Sequence, residues 1–260
     1  MATLVCFHAH PDDECIATGG VMARAASQGH RVVLVVATRG ENGEVEDGFL
    51  DEGEELWQRR VEETEASASI LGARRVEFLG YVDSGMMGTP ENDKDGSFWT
   101  ADVEEAAGRL ADILRDEHAD VLTIYDSHGA YGHPDHIQVH RVGKRAAELA
   151  STPKVYESTI NRDHLIRGLR ERASSLPEGT EMPDFEAAAD FGSPESVINV
   201  AVDVTEFLDH KRRAMQAHAS QIGEQSFFLQ MPADSFAYGF GTEWFIRDGQ
   251  GPGITETELL

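Results

Sequence analysis

The sequence predicts an α/β fold, a mostly parallel sheet flanked by helices, on three observations. Short apolar runs alternate with segments of helical periodicity along the first 157 residues. One run, residues 31–37 (RVVLVVA), is unbroken and β-branched, as in a strand covered on both faces. The strand–helix–strand order implies right-handed βαβ units.

Element by element, residues 4–8 read as a strand and 14–28 as a helix, with Ile16, Val21, Met22 and Ala25 at helical spacing and Gly29 as the stop. Strand 31–37 leads into a long polar, acidic loop, 38–54. Helix 55–71 ends at Gly72. Strand 76–79, loop 80–100, helix 101–117, strand 120–125, loop 126–134, helix 135–150 and strand 154–157 follow. Beyond about residue 158 the pattern weakens, and Pro177, Gly179, Pro183 and Pro194 mark a loop-rich stretch. A strand at 197–202, a helix at 204–218 and a frayed tail from Gly249 complete the reading. The 260 residues suit a single domain, 1–260, with a core at 1–157 and a less regular part, 158–260, that completes the pocket.

The charge balance narrows the partners. Against 22 Lys+Arg stand 47 Asp+Glu, a formal net charge of −25. Such a surface repels phosphate backbones and anionic lipid, so nucleic acid and membrane surfaces are not expected partners. Self-association into a homo-oligomer stays open. Cys6 and Cys15 are too few for a disulfide framework and read as buried thiols, with a ligand role for Cys15 as the alternative. The N-terminus lacks the pattern of a secretory signal, and no stretch approaches the roughly 18 apolar residues of a membrane span, so a cytoplasmic location is expected.

Chemistry concentrates behind two strands. The first runs into His8-Ala-His10-Pro-Asp12-Asp13-Glu14, the fourth into Asp126-Ser-His128-Gly-Ala-Tyr131-Gly-His133-Pro-Asp135-His136. Ligands of open α/β sheets bind beyond the carboxyl ends of the strands, where both clusters fall. Imidazole with carboxylate suits zinc or iron(II) better than magnesium. A catalytic zinc keeps three protein ligands and one open position, and a two-His, one-Asp set meets that need. A spare carboxylate can take a water proton; a spare histidine can steady an oxyanion or protonate an amine.

These paired segments, with Gly19-Gly20 after the first, resemble the signatures of the GlcNAc-phosphatidylinositol de-N-acetylase (PIG-L/LmbE-like) superfamily, which includes bacterial mycothiol-pathway deacetylases and amidases. The similarity runs from Leu4 to about Glu157 and resumes at Lys211-Arg-Arg-Ala-Met-Gln-Ala-His218-Ala-Ser-Gln221. The resemblance implies a Rossmann-like fold with the metal site at the carboxyl ends of the strands. Position by position it makes His10, Asp13 and His136 the metal ligands, with zinc as cofactor and iron(II) as the alternative. It makes Asp12 the general base, His133 the oxyanion partner and acid, Asp135 the carboxylate beside it, and Tyr131 a mobile tyrosine. It gives Arg60 a contact to the substrate's headgroup and aligns Asp83-Ser84-Gly85-Met86 with a sugar-binding segment. Arg39-Gly-Glu41-Asn-Gly43 corresponds to a Gly–Glu turn. His218 lines the pocket or packs in its helix. Residues 162–196 and the acidic loop 47–54 depart from the family pattern, and 162–196 is a candidate cover for the pocket.

The implied activity is metal-dependent hydrolysis of an N-acyl group, acetyl first, from a small amino-sugar derivative, such as a GlcNAc-inositol-like or thiol-conjugate substrate. A metal-dependent sugar or metabolite binder without hydrolysis and a zinc esterase are the alternatives.

Overall fold

The computed structural model describes residues 1–174, 190–247 and 249–260. Strand β1 (Thr3–His8) leads through helices α1 (Asp13–Ala17) and α2 (Gly19–Ser27) to β2 (Arg31–Thr38). Helix α3 (Leu56–Leu71) precedes β3 (Arg75–Tyr81), and α4 (Val103–Asp116) precedes β4 (Val121–Tyr125). A one-turn segment, α5 (Gly129–Gly132), and α6 (Pro134–Ala150) lead to β5 (Lys154–Thr159). Then come α7 (Arg162–Ser174), β6 (Val200–Asp203), α8 (Leu208–Ala217), α9 (Phe227–Gln230), α10 (Ala233–Phe240) and β7 (Thr242–Arg247). Among the described residues no helix is long and apolar enough to cross a membrane.

Among the described residues, seven strands form one sheet in the order β3-β2-β1-β4-β5-β7-β6. The first five are parallel; β7 runs antiparallel to β5 and β6. Both faces are apolar, which explains the unbroken run in β2. Leu4, Cys6, Val32, Leu34 and Val36 pack with Met22, Leu71, Met215 and Phe245 on one side. Val5, Phe7, Val33 and Val35 pack with Leu110, Leu114, Val139 and Val142 on the other. Alternate residues of one strand thus feed two cores. Chain order reverses between β1 and β4, so their outgoing loops part and leave a crevice at the strand ends.

Several expectations need correction. The single helix 14–28 is two helices that meet at Thr18. There the Thr18 hydroxyl lies 2.8 Å from His8 Nε2, and Gly20 and Val21 donate their N–H groups to the Glu243 carboxylate at 2.8 and 2.9 Å. An acid from β7 therefore caps α2. A β-carbon on Gly20 would sit 2.5 Å from Val204, so only glycine fits. The expected strand 197–202 begins as a 3₁₀ turn (Glu195–Val197) and pairs only from Val200. Helix 204–218 opens with a 3₁₀ turn, Thr205–Phe207. The tail is not frayed: Ala201 donates to the Glu256 carbonyl at 3.1 Å, Thr255 to Asn199 at 2.8 Å, and Leu259 is buried. Its polar composition conceals backbone pairing that needs no apolar side chains. Helix α7 and strand β7 have no counterpart in the sequence reading, and Pro177, Gly179 and Pro183 lie outside the described residues.

Glu243 also forms a fully buried ion pair with Lys211 of α8. Removing one partner of such a pair leaves an uncompensated charge in a dry interior. Glu243→Ala should therefore cost about 3–5 kcal/mol, read as a lower urea midpoint with an unchanged slope. A midpoint like that of the wild type would show that the pair contributes nothing.

Candidate active site and metal centre

The crevice is built on the ends of β1 and β4. His8 closes β1, wedged between Thr18 and the Tyr125 hydroxyl, 2.7 Å from Nδ1. Burial pushes its pKa down to about 4, so it is a neutral scaffold residue. The chain then turns sharply: Asp12 is left-handed at φ 97°, a conformation Asp tolerates better than most residues. Asp13 opens α1, and its Oδ2 accepts the His10 N–H at 2.8 Å.

Asp13 Oδ2 is the meeting point of the two clusters. It lies 3.4 Å from His10 Nδ1 and 3.4 Å from His136 Nε2. His136 sits in the first turn of α6, started by Pro134, with its ring stacked on Tyr125 at 4.3 Å. The other nitrogen of His10, Nε2, lies 3.1 Å from Asp135 Oδ2. Asp135 is fully buried and also accepts the Ser84 N–H at 2.9 Å and the Ser84 hydroxyl. Its carboxylate thus orients His10 and the loop after β3, while its backbone N–H serves His133.

His133 caps α6: its Nδ1 accepts the Asp135 N–H at 3.2 Å. Burial, then His10 and His136, push its pKa down to about 4. A neutral ring that accepts at Nδ1 carries its proton on Nε2, so His133 presents an N–H donor. Tyr131 is 39% exposed. Its hydroxyl lies 3.4 Å from His136 Nε2, and its ring stacks on Phe191 at 6.1 Å. From the stretch 162–196, Phe191 therefore reaches the rim of the crevice, while residues 175–189 lie outside the described residues. Ala130, beside Tyr131, holds a left-handed φ of 63°.

The expected substrate residues separate. Asp83 is buried; its Oδ1 accepts the Gly85 N–H at 2.8 Å and lies 3.6 Å from His10 Nε2. Ser84 is fully buried between Asp135, Ser97 and the Trp99 N–H, a brace rather than a contact. Met86 is 49% exposed and free to meet a ligand. Arg60 is buried against Pro11, Asp12 and Gly40. His218 does not line the crevice: it is fully buried, 2.6 Å from Glu14. Burial opposes charge on both, yet each raises the other's ionisation, so His218 is raised and Glu14 lowered.

Glu14 is the residue that sequence reasoning left without a role. It is fully buried and accepts the Asp12 N–H at 3.0 Å and the Ser67 hydroxyl, so it fastens the left-handed turn from behind. The signal was its place at the end of His-Pro-Asp-Asp-Glu. Glu41 also acts, accepting the Asp83 N–H at 3.1 Å.

These residues fit a divalent cation. Two imidazole nitrogens stand 3.4 Å from one carboxylate oxygen, longer than a normal N–H···O bond. Asp12, Asp13, Asp83 and Asp135 converge here, and among the described residues Arg60 is the arginine that bonds to them. Burial opposes charge on His10, but Asp83, Asp13 and Asp135 lift its pKa well above the ordinary value. The field that holds a proton there also favours a metal cation, which competes for the same nitrogen. His10, His133 and His136 also bring one nitrogen each within 4.8 Å of one another.

Known proteins give this crevice a context. The profile of PIG-L, GlcNAc-PI de-N-acetylase, matches residues 5–147. The 1D-myo-inositol 2-acetamido-2-deoxy-alpha-D-glucopyranoside deacetylase of Acidothermus cellulolyticus is 40% identical, covering 94% of this chain and 88% of the relative. In fold, the chain is similar to the N,N'-diacetylchitobiose deacetylase of Pyrococcus horikoshii, with TM-score 0.59, 24% identity and coverage of 94% and 83%. It is equally similar to the 4-carboxy-2-hydroxymuconate hydratase GalB of Pseudomonas putida, with TM-score 0.59, 21% identity and coverage of 96% and 97%. The fold alone therefore does not fix the reaction; the family match over residues 5–147 and the 40% identity over nearly the whole chain say more, and the chain belongs to the GlcNAc-PI de-N-acetylase (PIG-L) family.

Proposed function

We propose that this protein hydrolyses the acetamide of 1D-myo-inositol 2-acetamido-2-deoxy-α-D-glucopyranoside to acetate and the free amino sugar, with a zinc ion, or iron(II), held by His10, Asp13 and His136. The observation that carries this is the convergence of a carboxylate base, a nitrogen–oxygen ligand set and an N–H donor at one crevice. The chain that contains it shares 40% identity with a deacetylase of that compound.

Bound there, the metal would supply Lewis acidity, acidifying water and polarising the amide carbonyl. Asp12 takes the proton of the attacking water and returns it to the departing amine. His133, neutral with its proton on Nε2, donates to the developing oxyanion. Asp135 holds His10 through Nε2, and would orient that ring for a bound metal; such carboxylate–histidine pairs fix the tautomer and raise ligand basicity. Tyr131 stays protonated, because burial and then Asp13 raise its pKa, and it can donate to the substrate from the rim. Asp83 accepts sugar hydroxyls with the lone pairs that the Gly85 and Asn42 N–H groups leave free.

The test is a substrate panel: the inositol glycoside, N-acetylglucosamine, a thiol conjugate and O-acetyl sugars. Acetate and a free amine should appear fastest from the inositol glycoside. Release only from the esters would make the protein an esterase, and tight sugar binding with no turnover would make it a binding protein.

A further inference from the structure

Arg60 has an environment that a headgroup contact would not need. Its guanidinium leaves α3 and enters the turn between β1 and α1. Nη1 donates to the Gly40 carbonyl at 2.9 Å, and Nη2 donates to the Pro11 carbonyl at 2.6 Å and to Asp12 Oδ2 at 3.3 Å. The residue is 4% exposed. The loop after β2 is shaped around it. A β-carbon on Gly40 would lie 2.2 Å from Nη1, and one on Gly43 2.5 Å away. Gly40 is also left-handed, at φ 67°, so glycine is required there twice over.

The residue gripped is the one under strain. Asp12 holds φ 97°, and a non-glycine residue in a sparsely populated region persists only where its surroundings over-determine it. Glu14 fixes its N–H from one side. Arg60 fixes the preceding carbonyl and the carboxylate from the other. Arginine suits this task because its planar fork holds several acceptors at fixed angles. Its Nε has no partner but is buried as well, so the bonds that the residue makes are those to Gly40, Pro11 and Asp12.

We infer that Arg60 is a positioning residue for Asp12, holding the carboxylate towards the attacking water, and does not bind the sugar's aglycone. This rests on the reading of Asp12 as the base.

The experiment compares Arg60→Ala, Arg60→Lys, Asp12→Asn and the Asp12→Asn/Arg60→Ala pair in the zinc-loaded enzyme. Metal content and thermal melts are recorded for each. Kinetics are measured on the inositol glycoside and on methyl N-acetylglucosaminide, and affinity for the deacetylated inositol glycoside is measured by calorimetry. Displacing a reacting group by about 1 Å costs about 10²-fold. Arg60→Ala should lower kcat by about 10–10²-fold on both substrates. KM and product affinity should stay unchanged, and Arg60→Lys should recover part of the loss. In the Asp12→Asn background the Arg60 change should cost nothing further, because two residues that act as a unit are not additive. A KM increase confined to the inositol glycoside, with weaker product binding, would overturn the inference in favour of a headgroup contact. An equal kcat loss in both backgrounds would overturn it in favour of a general structural role. Wild-type kcat in Asp12→Asn would instead refute Asp12 as the base, and that result is visible without any Arg60 variant.

Discussion

Asp12→Asn should leave the metal in place and lower kcat by about 10²–10⁴-fold, the usual worth of a general base. The substitution is chosen to change one property. Asparagine tolerates the left-handed backbone of residue 12, and its carbonyl can still accept from Arg60. What it loses is the ability to take a proton. The pH profile carries the same information. Burial pushes the Asp12 carboxyl up to about 6, against the pull of Arg60. A bound dication pulls it down, so the acid limb of the wild-type profile should fall at or below about pH 6. Activity rises with pH through that limb, because the base works only when ionised. In Asp12→Asn the limb should vanish. Metal content measured beside kcat decides the matter: an Asn variant that is idle because it has lost its metal would make Asp12 a ligand.

The candidate site was legible in the sequence where chemistry is local. His-Pro-Asp-Asp directly after one strand and Gly-His-Pro-Asp-His after another are compact, and the order of strands places both at one edge. The alternating apolar runs gave the parallel strands within a residue or two. What stayed hidden depends on long-range pairing. Helix 14–28 splits because Glu243, more than 200 positions away, caps Gly20 and Val21. Arg60 read as a headgroup contact through the family resemblance, and His218 as either a pocket residue or a packed helix residue. Both are turned inward by partners, Pro11 and Gly40 for one and Glu14 for the other, that periodicity cannot reveal. Strand β7 passed unnoticed because its register is set by β5 and β6, not by its own pattern.

Asp13→Ala should empty the metal site and abolish turnover together, and chelation should do the same to the wild type. The argument starts from one oxygen. Asp13 Oδ2 faces His10 Nδ1 and His136 Nε2 at 3.4 Å each and also accepts the His10 N–H at 2.8 Å. Removing it takes away a negative ligand and leaves two imidazoles, a weaker site for a borderline cation. Because the same oxygen also holds the turn, Asp13→Asn is the informative companion. It keeps an acceptor for the His10 N–H but not the charge, so the fold should survive while metal affinity falls. The readout need not be activity. A ligand that binds the folded state raises stability by RT ln(1 + [L]/Kd), so added zinc should raise the wild-type melting temperature. The rise should be small or absent in both Asp13 variants at the same zinc concentration, and higher zinc should restore it only in part. Stoichiometric zinc in Asp13→Ala, with a wild-type rise in melting temperature, would remove Asp13 from the ligand set and leave His10, His133 and His136 as the set to test next.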